Sequence, residues 1–179
     1  MQLLKFNQDM IDQAVQWAND LGGIKNSITN GAGNLAGRLG EIALANHLGV
    51  ELADEKDYDM IYKGEKIEVK TKRRTVPPKG FYDVSVAKTS THQQPDRYVF
   101  ISMEFGEFGY YGKPALGTIR RGGKWYKNPK NIWLCGDMSA KEYFQRAKLW
   151  RKGSKDYSNG FMTLVDMYNM RIDQLEESI

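Results

Sequence analysis

The sequence predicts an α/β domain in which a β-sheet is flanked by helices. Three observations carry this. Residues 7–21 and 34–48 place apolar side chains at helical spacing, residues 58–72 read as a β-hairpin, and residues 96–103 hold the apolar run Tyr98-Val99-Phe100-Ile101. Such a run suits a central strand buried on both faces. The chain has 179 residues, which suits one domain with a sizeable core. Apolar residues make up 41% and charged residues 27%, the balance of a soluble globular chain. The net charge of +4 and a pI near 9.0 permit a polyanionic partner without requiring one. One cysteine, Cys135, excludes an intrachain disulfide, and two histidines are too few for a zinc cluster. With no secretory signal and no apolar run long enough to span a membrane, the expected location is the reducing cytoplasm.

In chain order, residues 7–21 form the first helix. Asn7 is its N-cap, and Met10, Ile11, Ala14, Val15, Trp17, Ala18 and Leu21 its apolar face, with Trp17 expected in the core. Gly22-Gly23 ends it, and residues 24–33 read as a polar loop. The second helix runs from Asn34 to Leu48 and closes on Gly49. Its small residues Ala36, Gly37, Gly40, Ala43 and Ala45 suggest close approach to a sheet. Glu41 is its only carboxylate, and a carboxylate in so apolar a setting needs a partner. Arg38, three residues earlier, is one candidate; a metal site on the hairpin is the other. His47 reads as a helix-terminal or surface residue.

The hairpin is expected to turn at Gly64-Glu65 as a type II′ loop. That register pairs Tyr62 with Ile67, Met60 with Val69 and Tyr58 with Thr71 on an apolar face. It sets Ile61 opposite Glu68 and Asp59 opposite Lys70 on the other. The even loop thereby gathers Asp59, Glu68 and Lys70, whereas a one-residue slip would separate the two acids. Carboxylate oxygens are the hard ligands that Mg²⁺ takes. A metal there activates water, and a neighbouring lysine orients that water or stabilises developing charge. The competing reading is an ordinary solvated hairpin face.

A third strand is expected over residues 81–88, after the break at Pro77-Pro78-Lys79-Gly80, and a short helix or loop over 88–94. Residues 108–112, 115–120 and 131–135 read as antiparallel strands. The cations Arg120, Arg121, Lys124, Lys127 and Lys130 lie among Trp125 and Tyr126, either as a grip on nucleic acid or as a soluble sheet edge. A helix is expected from Ser139 to Lys152, with Ser139 and Glu142 as a capping box and Tyr143, Phe144, Ala147 and Trp150 as its apolar face. Its terminal Arg146, Lys148, Arg151 and Lys152 suit the helix dipole. Residues 161–175 return as a strand or amphipathic segment, with Met162, Leu164, Met167, Met170, Ile172 and Leu175 as core.

The stretch GRLGEIALANHLG followed by YDMIYKGEKIEVKTK resembles the restriction-endonuclease-like, PD-(D/E)XK nuclease superfamily, in which a helix supplies Glu, a strand Asp and the next strand Glu-x-Lys. Here these are Glu41, Asp59 and Glu68-Val69-Lys70. Tyr58 stands where the family's proline precedes the Asp. The resemblance covers residues 34–101 and implies an αβββαβ core around a central mixed sheet, with residues 102–179 as extra strands and helix. It further implies Mg²⁺ or Mn²⁺ at Asp59 and Glu68, the Val69 carbonyl as a ligand, Glu41 as a further acidic ligand, and Lys70 beside the attacking water. The substrate it implies is DNA. Arg38, Lys72, Arg73, Arg74, Lys88 and Gln93 are the candidate nucleic-acid contacts, against solvated basic loops as the alternative. The small size favours a structure- or end-selective enzyme such as a resolvase or a small phage-type endonuclease, and a homodimer fits a family that pairs two sites across two strands. The rival readings are a non-cleaving nucleic-acid-binding module on the same fold and a chance motif. Geometry separates the last: Glu41 must lie near Asp59 and Glu68, and the hairpin loop must be even.

Overall fold

The computed structural model describes residues 1–21, 34–53, 55–105, 120–121, 124–125, 129–155 and 162–179. Its elements are β1 (Gln2–Leu4), α1 (Gln8–Leu21), α2 (Asn34–Leu48), β2 (Met60–Tyr62), β3 (Glu65–Arg74), β4 (Asp83–Ala87), β5 (Arg97–Glu104), β6 (Arg120–Arg121), β7 (Lys124–Trp125), β8 (Asn131–Ser139), α3 (Ala140–Arg146), β9 (Lys148–Trp150) and β10 (Met167–Arg171). Two 3₁₀ turns, Lys88–Ser90 and Ile172–Gln174, follow β4 and β10. The loop at 24–33, the strand expected at 108–112, residues 115–119 of the strand expected at 115–120, and Tyr126 and Lys127 lie outside the described residues.

The expected α/β class holds. Five strands form a mixed sheet in the order β1-β8-β5-β3-β2, and β4, β10 and β9 form a second, antiparallel sheet. β5 is central, as its apolar run predicts, and its two faces feed two cores. Val99, Ile101 and Met103 pack with Leu35, Leu39 and Leu44 of α2. Tyr98 and Phe100 pack with Val84, Val86, Tyr143 and Met170. Helices α1 and α2 thus cover one face of the large sheet, and α3 with the small sheet covers the other. A bulge at Cys135 lets Phe100 pair with Gly136 while Ile101 pairs with Leu134. The extra residue reverses the alternation of β8, so Met138 joins Cys135 in the second core.

The helix ends follow the sequence reading. Asn7 Oδ1 accepts the Met10 N–H at 3.0 Å. Gly49 has φ +68° after α2, and Val50 N–H donates to Ala45 O at 3.0 Å, closing a Schellman cap. Ser139 caps α3 by accepting the Glu142 N–H at 3.3 Å.

Several expectations are corrected. The helix predicted to reach Lys152 stops at Arg146, because Ala147 is extended and residues 148–150 pair with β10. Sheet hydrogen bonds to a neighbour distant in sequence outweigh a modest local helix preference. Met162 and Leu164 are exposed rather than core, while Met170 and Ile172 are buried. Trp17 is only half-buried, with the Arg38 guanidinium 4.9 Å above its ring. The third strand exists, but it pairs with β10 in the small sheet. β1, too short and exposed to leave a pattern, pairs with β8. Among the described residues no helix is long and apolar enough to cross a membrane.

The small residues of α2 have a specific use. A Cβ on Gly40 would fall inside contact distance of Thr71 Oγ1 on β3, whereas one on Gly37 would meet only Glu41 Oε1, at 3.9 Å. Alanine in a helix is favoured over glycine by about 1 kcal/mol, and overpacking costs roughly 1–3 kcal/mol. Gly40→Ala is therefore expected to lower stability by up to about 2 kcal/mol, and Gly37→Ala to leave it equal or higher. Urea midpoints of the two variants check this.

Candidate active site

The hairpin turns at Lys63 (φ +50°) and Gly64 (φ +85°), a type I′ loop one position earlier than the expected type II′. The observed pairs are Met60–Ile67, Ile61–Lys66 and Tyr62–Glu65, so the register moves by two residues. An even shift keeps every side chain on its expected face. The paired ladder ends at Met60, and the Asp59 N–H donates to Ile67 O at 2.8 Å, which places Asp59 beside Glu68 rather than Lys70. The two acids are thereby nearer in register than the sequence reading had them.

β2 is short, and the Asp59 side chain continues the ladder where its backbone pairing stops. Asp59 Oδ2 accepts the Val69 N–H at 2.7 Å. The N–H and C=O of one strand residue point to the same side, so the Val69 carbonyl also faces the Asp59 side. Glu68 is buried at 5% exposure and ion-paired with Lys70. Lys70 Nζ also donates to Gln93 Oε1 at 3.1 Å and lies 5.9 Å from the centre of the Tyr98 ring. Gln93 Nε2 in turn donates to Lys56 O at 3.0 Å, joining the approach to Asp59, the lysine of β3 and the turn after β4.

Glu41 reaches this cluster from α2. It accepts from Arg38 Nη1 at 3.1 Å. So the structural pairing considered for Glu41 is present, and the residue also lies within the field of the hairpin. Burial raises its pKa first; Arg38 opposes this, Glu68 adds to it and Lys70 opposes it. Asp59 is pushed up to about 8, by burial first and then by the charges of Glu41 and Glu68, with the Val69 N–H and Lys70 acting against them. Burial and the Glu68 charge push Tyr98 up to about 12.

Three partly desolvated carboxylates therefore face two cations, Arg38 and Lys70. The hard oxygen donors, and carboxyls whose ionisation is opposed by burial and by one another, fit a divalent cation of the Mg²⁺ type. Among the described residues no three acidic, histidine or cysteine side chains are closed around a common point. Each carboxylate is held by a protein donor: Glu41 by Arg38, Glu68 by Lys70, and Asp59 by Val69.

The remaining candidates divide. Gln93 and Arg38 belong to the cluster. The run Lys72-Arg73-Arg74 is split by strand alternation. Lys72 Nζ donates to Asp83 O at 3.2 Å and Ser85 Oγ at 3.4 Å. Arg74 donates to Ser102 Oγ at 3.0 Å and Asp83 O at 2.7 Å, its guanidinium 4.8 Å from the Tyr82 ring centre. Both side chains fasten β3 to β4, and burial lowers the Arg74 pKa. Arg73 is half-buried, and Lys88 is exposed on the first 3₁₀ turn. His47 and His92 are exposed, and His92 Nδ1 is 2.7 Å from Thr89 O. Tyr98 was read only as core; its place beside Glu68 comes from the parallel pairing of β3 with β5.

Comparison with models of protein families, with curated proteins and with solved structures finds no match to this chain.

The site makes stability depend on pH. Asp59 keeps its proton in the folded chain to about pH 8, against an ordinary 3.8. Between these values the folded state binds more protons than the unfolded, so this group's contribution is present at low pH and lost as pH rises toward 8. In EDTA, Asp59→Asn is expected to flatten the decline in urea-unfolding free energy between pH 5 and 8. An unchanged slope would place the pH dependence elsewhere.

Proposed function

We propose that this protein is a metal-dependent nuclease that hydrolyses phosphodiester bonds in DNA, with a site of the PD-(D/E)XK kind. The observation that carries the reading is the convergence of helix-borne Glu41 with Asp59 and Glu68 across an even hairpin, beside Lys70. The even hairpin loop supports it, and so does the mutual electrostatic influence of Glu41, Asp59 and Glu68. The chain order α2, β2, β3, β5 around the mixed sheet accords with it, while β4 lies in the small sheet and a 3₁₀ turn stands where the second helix of an αβββαβ core is expected.

Asp59, Glu68 and the Val69 carbonyl would hold Mg²⁺ or Mn²⁺, with Glu41 as a further acidic ligand. When bound, such an ion activates water and neutralises phosphoryl charge. The chain's own groups do the rest. The Lys70 ammonium has three donors. One goes to Glu68 and one to Gln93, which leaves a third for the attacking water or a phosphoryl oxygen. Arg38, braced by Glu41 and the Trp17 ring, is placed for a phosphate. A homodimer would bring two such sites to two strands. A reducing cytoplasm suits the buried thiol of Cys135.

The test is plasmid cleavage with Mg²⁺ or Mn²⁺, run beside linear, branched and single-stranded DNA. Glu68→Ala, Glu68→Gln and Lys70→Ala are each expected to lower the rate by roughly 10²-fold or more. Circular dichroism shows whether each variant is folded. Cleavage that persists in EDTA, or in all three variants, overturns the reading. Intact DNA that is nevertheless bound assigns the chain to the rival class, a nucleic-acid-binding module without cleavage.

A further inference from the structure

Beyond the end of β3 the chain turns back through residues 75–82 and leaves an aromatic ring in water. Phe81 is 57% exposed, and Val76 in the same turn 46%. A lone exposed apolar residue is ordinary. Phe81 differs in how it is held. The Tyr82 N–H donates to Lys79 O at 2.9 Å, the Asp173 N–H to Gly80 O at 2.8 Å, and the Ile172 N–H to Tyr82 O at 2.9 Å. Backbone bonds thus fix the chain on both sides of Phe81, and Pro77 and Pro78 restrict the turn before it. The ring stands on a firm support, which lowers the ordering cost of binding a partner.

Cations and rings alternate at this turn. The Lys79 ammonium lies 5.7 Å from the centre of the Phe81 ring. Phe81 meets Tyr82 at 4.9 Å between centres, with the ring planes at 82°. Tyr82 packs against the second core and has the Arg74 guanidinium 4.8 Å from its own centre. Arg74 anchors the row, since it also donates to Ser102 Oγ and Asp83 O. Lys79 is exposed, and its ring contact is close to the outer limit of about 6 Å, so it can exchange that contact for a phosphate. Asp173, which lies against Gly80, is ion-paired with Arg171, so its charge is compensated where the turn meets it. Arg74 stands four residues beyond Lys70 on β3, about 13 Å along the strand. One short stretch of nucleic acid can reach both.

We propose that Phe81, with Lys79 beside it, is a stacking platform for an unstacked base of single-stranded DNA. A base offers a π-face and has phosphates on its flanks, so it matches a ring bordered by cations. A purely apolar partner would leave Lys79 unmatched. The choice of DNA rests on the nuclease reading above; the exposed ring and its cations do not. A base inside a duplex is stacked on its neighbours and hides its faces. The platform would therefore hold DNA that is already unpaired, at a frayed end, a branch or a gap, within reach of Lys70.

The experiment is fluorescence anisotropy with the full chain in EDTA, using labelled oligothymidylate, an abasic strand of the same length and a duplex. The unaltered chain is expected to prefer oligothymidylate to both of the others. Phe81→Ala and Phe81→Leu should each weaken oligothymidylate binding roughly tenfold and leave abasic binding unchanged, while Phe81→Trp should match or exceed the unaltered chain. Lys79→Ala should weaken both single strands and reduce the slope of log K against log salt by about 0.7. Circular dichroism shows whether each variant is folded. No binding, no preference for bases over the abasic strand, or equal affinity of Phe81→Ala and the unaltered chain overturns the proposal. Phe81→Leu binding as tightly as Phe81→Trp also overturns it, and makes the ring a site for an apolar protein partner. Metal-dependent cleavage without any effect of Phe81 on binding overturns the platform and leaves the nuclease. Binding that depends on Phe81, by a chain that cuts nothing, overturns the nuclease and leaves the platform.

Discussion

The site depends on the parallel pairing of β3 with β5. Residues 67–74 run beside residues 97–104, and this pairing sets Glu68 against Tyr98 and Lys70 against Phe100. β5 is buried on both faces, so it holds β3 from the middle of the sheet. Parallel neighbours need a long connection. Here that crossover carries β4, the first 3₁₀ turn and Gln93. The same segment brings Gln93 to Lys70 and Ser85 to Lys72. Lys72 and Arg74 secure it by reaching from β3 to the carbonyl of Asp83.

Electrostatics make the cluster more than a set of neighbours. Desolvated carboxylates are costly, and three of them crowded together are costlier still. The fold accepts this because each acid has a donor and because the donors are themselves held. Arg38 is braced by Trp17, and Lys70 by Gln93 and the Tyr98 ring. A buried carboxylate elsewhere, Asp137, is handled differently. Asp137, 1% exposed, accepts from Arg97 Nη1 at 2.6 Å, from Ser178 N at 2.9 Å and from Ile179 N at 3.2 Å. There the charge is fully met by the chain and ties residues 178–179 to β8. The contrast separates an acid satisfied by structure from acids that crowd one another.

Local chemistry made much of this legible. Asn7, Gly49 and Ser139 mark helix ends through their own side chains or lack of one, so they read correctly without tertiary knowledge. The hairpin faces were legible because alternation depends only on parity, even though the turn type was wrong and the pairing moved by two residues. Trp17, Met162 and Leu164 misled because an apolar residue at the right period need not meet a core. The end of α3 misled for the opposite reason. A good helical period at Ala147 and Trp150 was overruled by β10, a strand far along the chain.

By itself, the sequence determined the α/β class, the central strand and the small-residue face of α2, and it marked out Glu41, Asp59, Glu68 and Lys70 as candidates. All of these follow from period, parity and residue chemistry within a short window. Only the tertiary structure decided that Lys72 and Arg74 turn inward to β4 and that Tyr98 lies under Lys70. Those facts depend on which strands become neighbours across the crossover. Strand adjacency is set by the burial of whole faces, which no local window of residues contains.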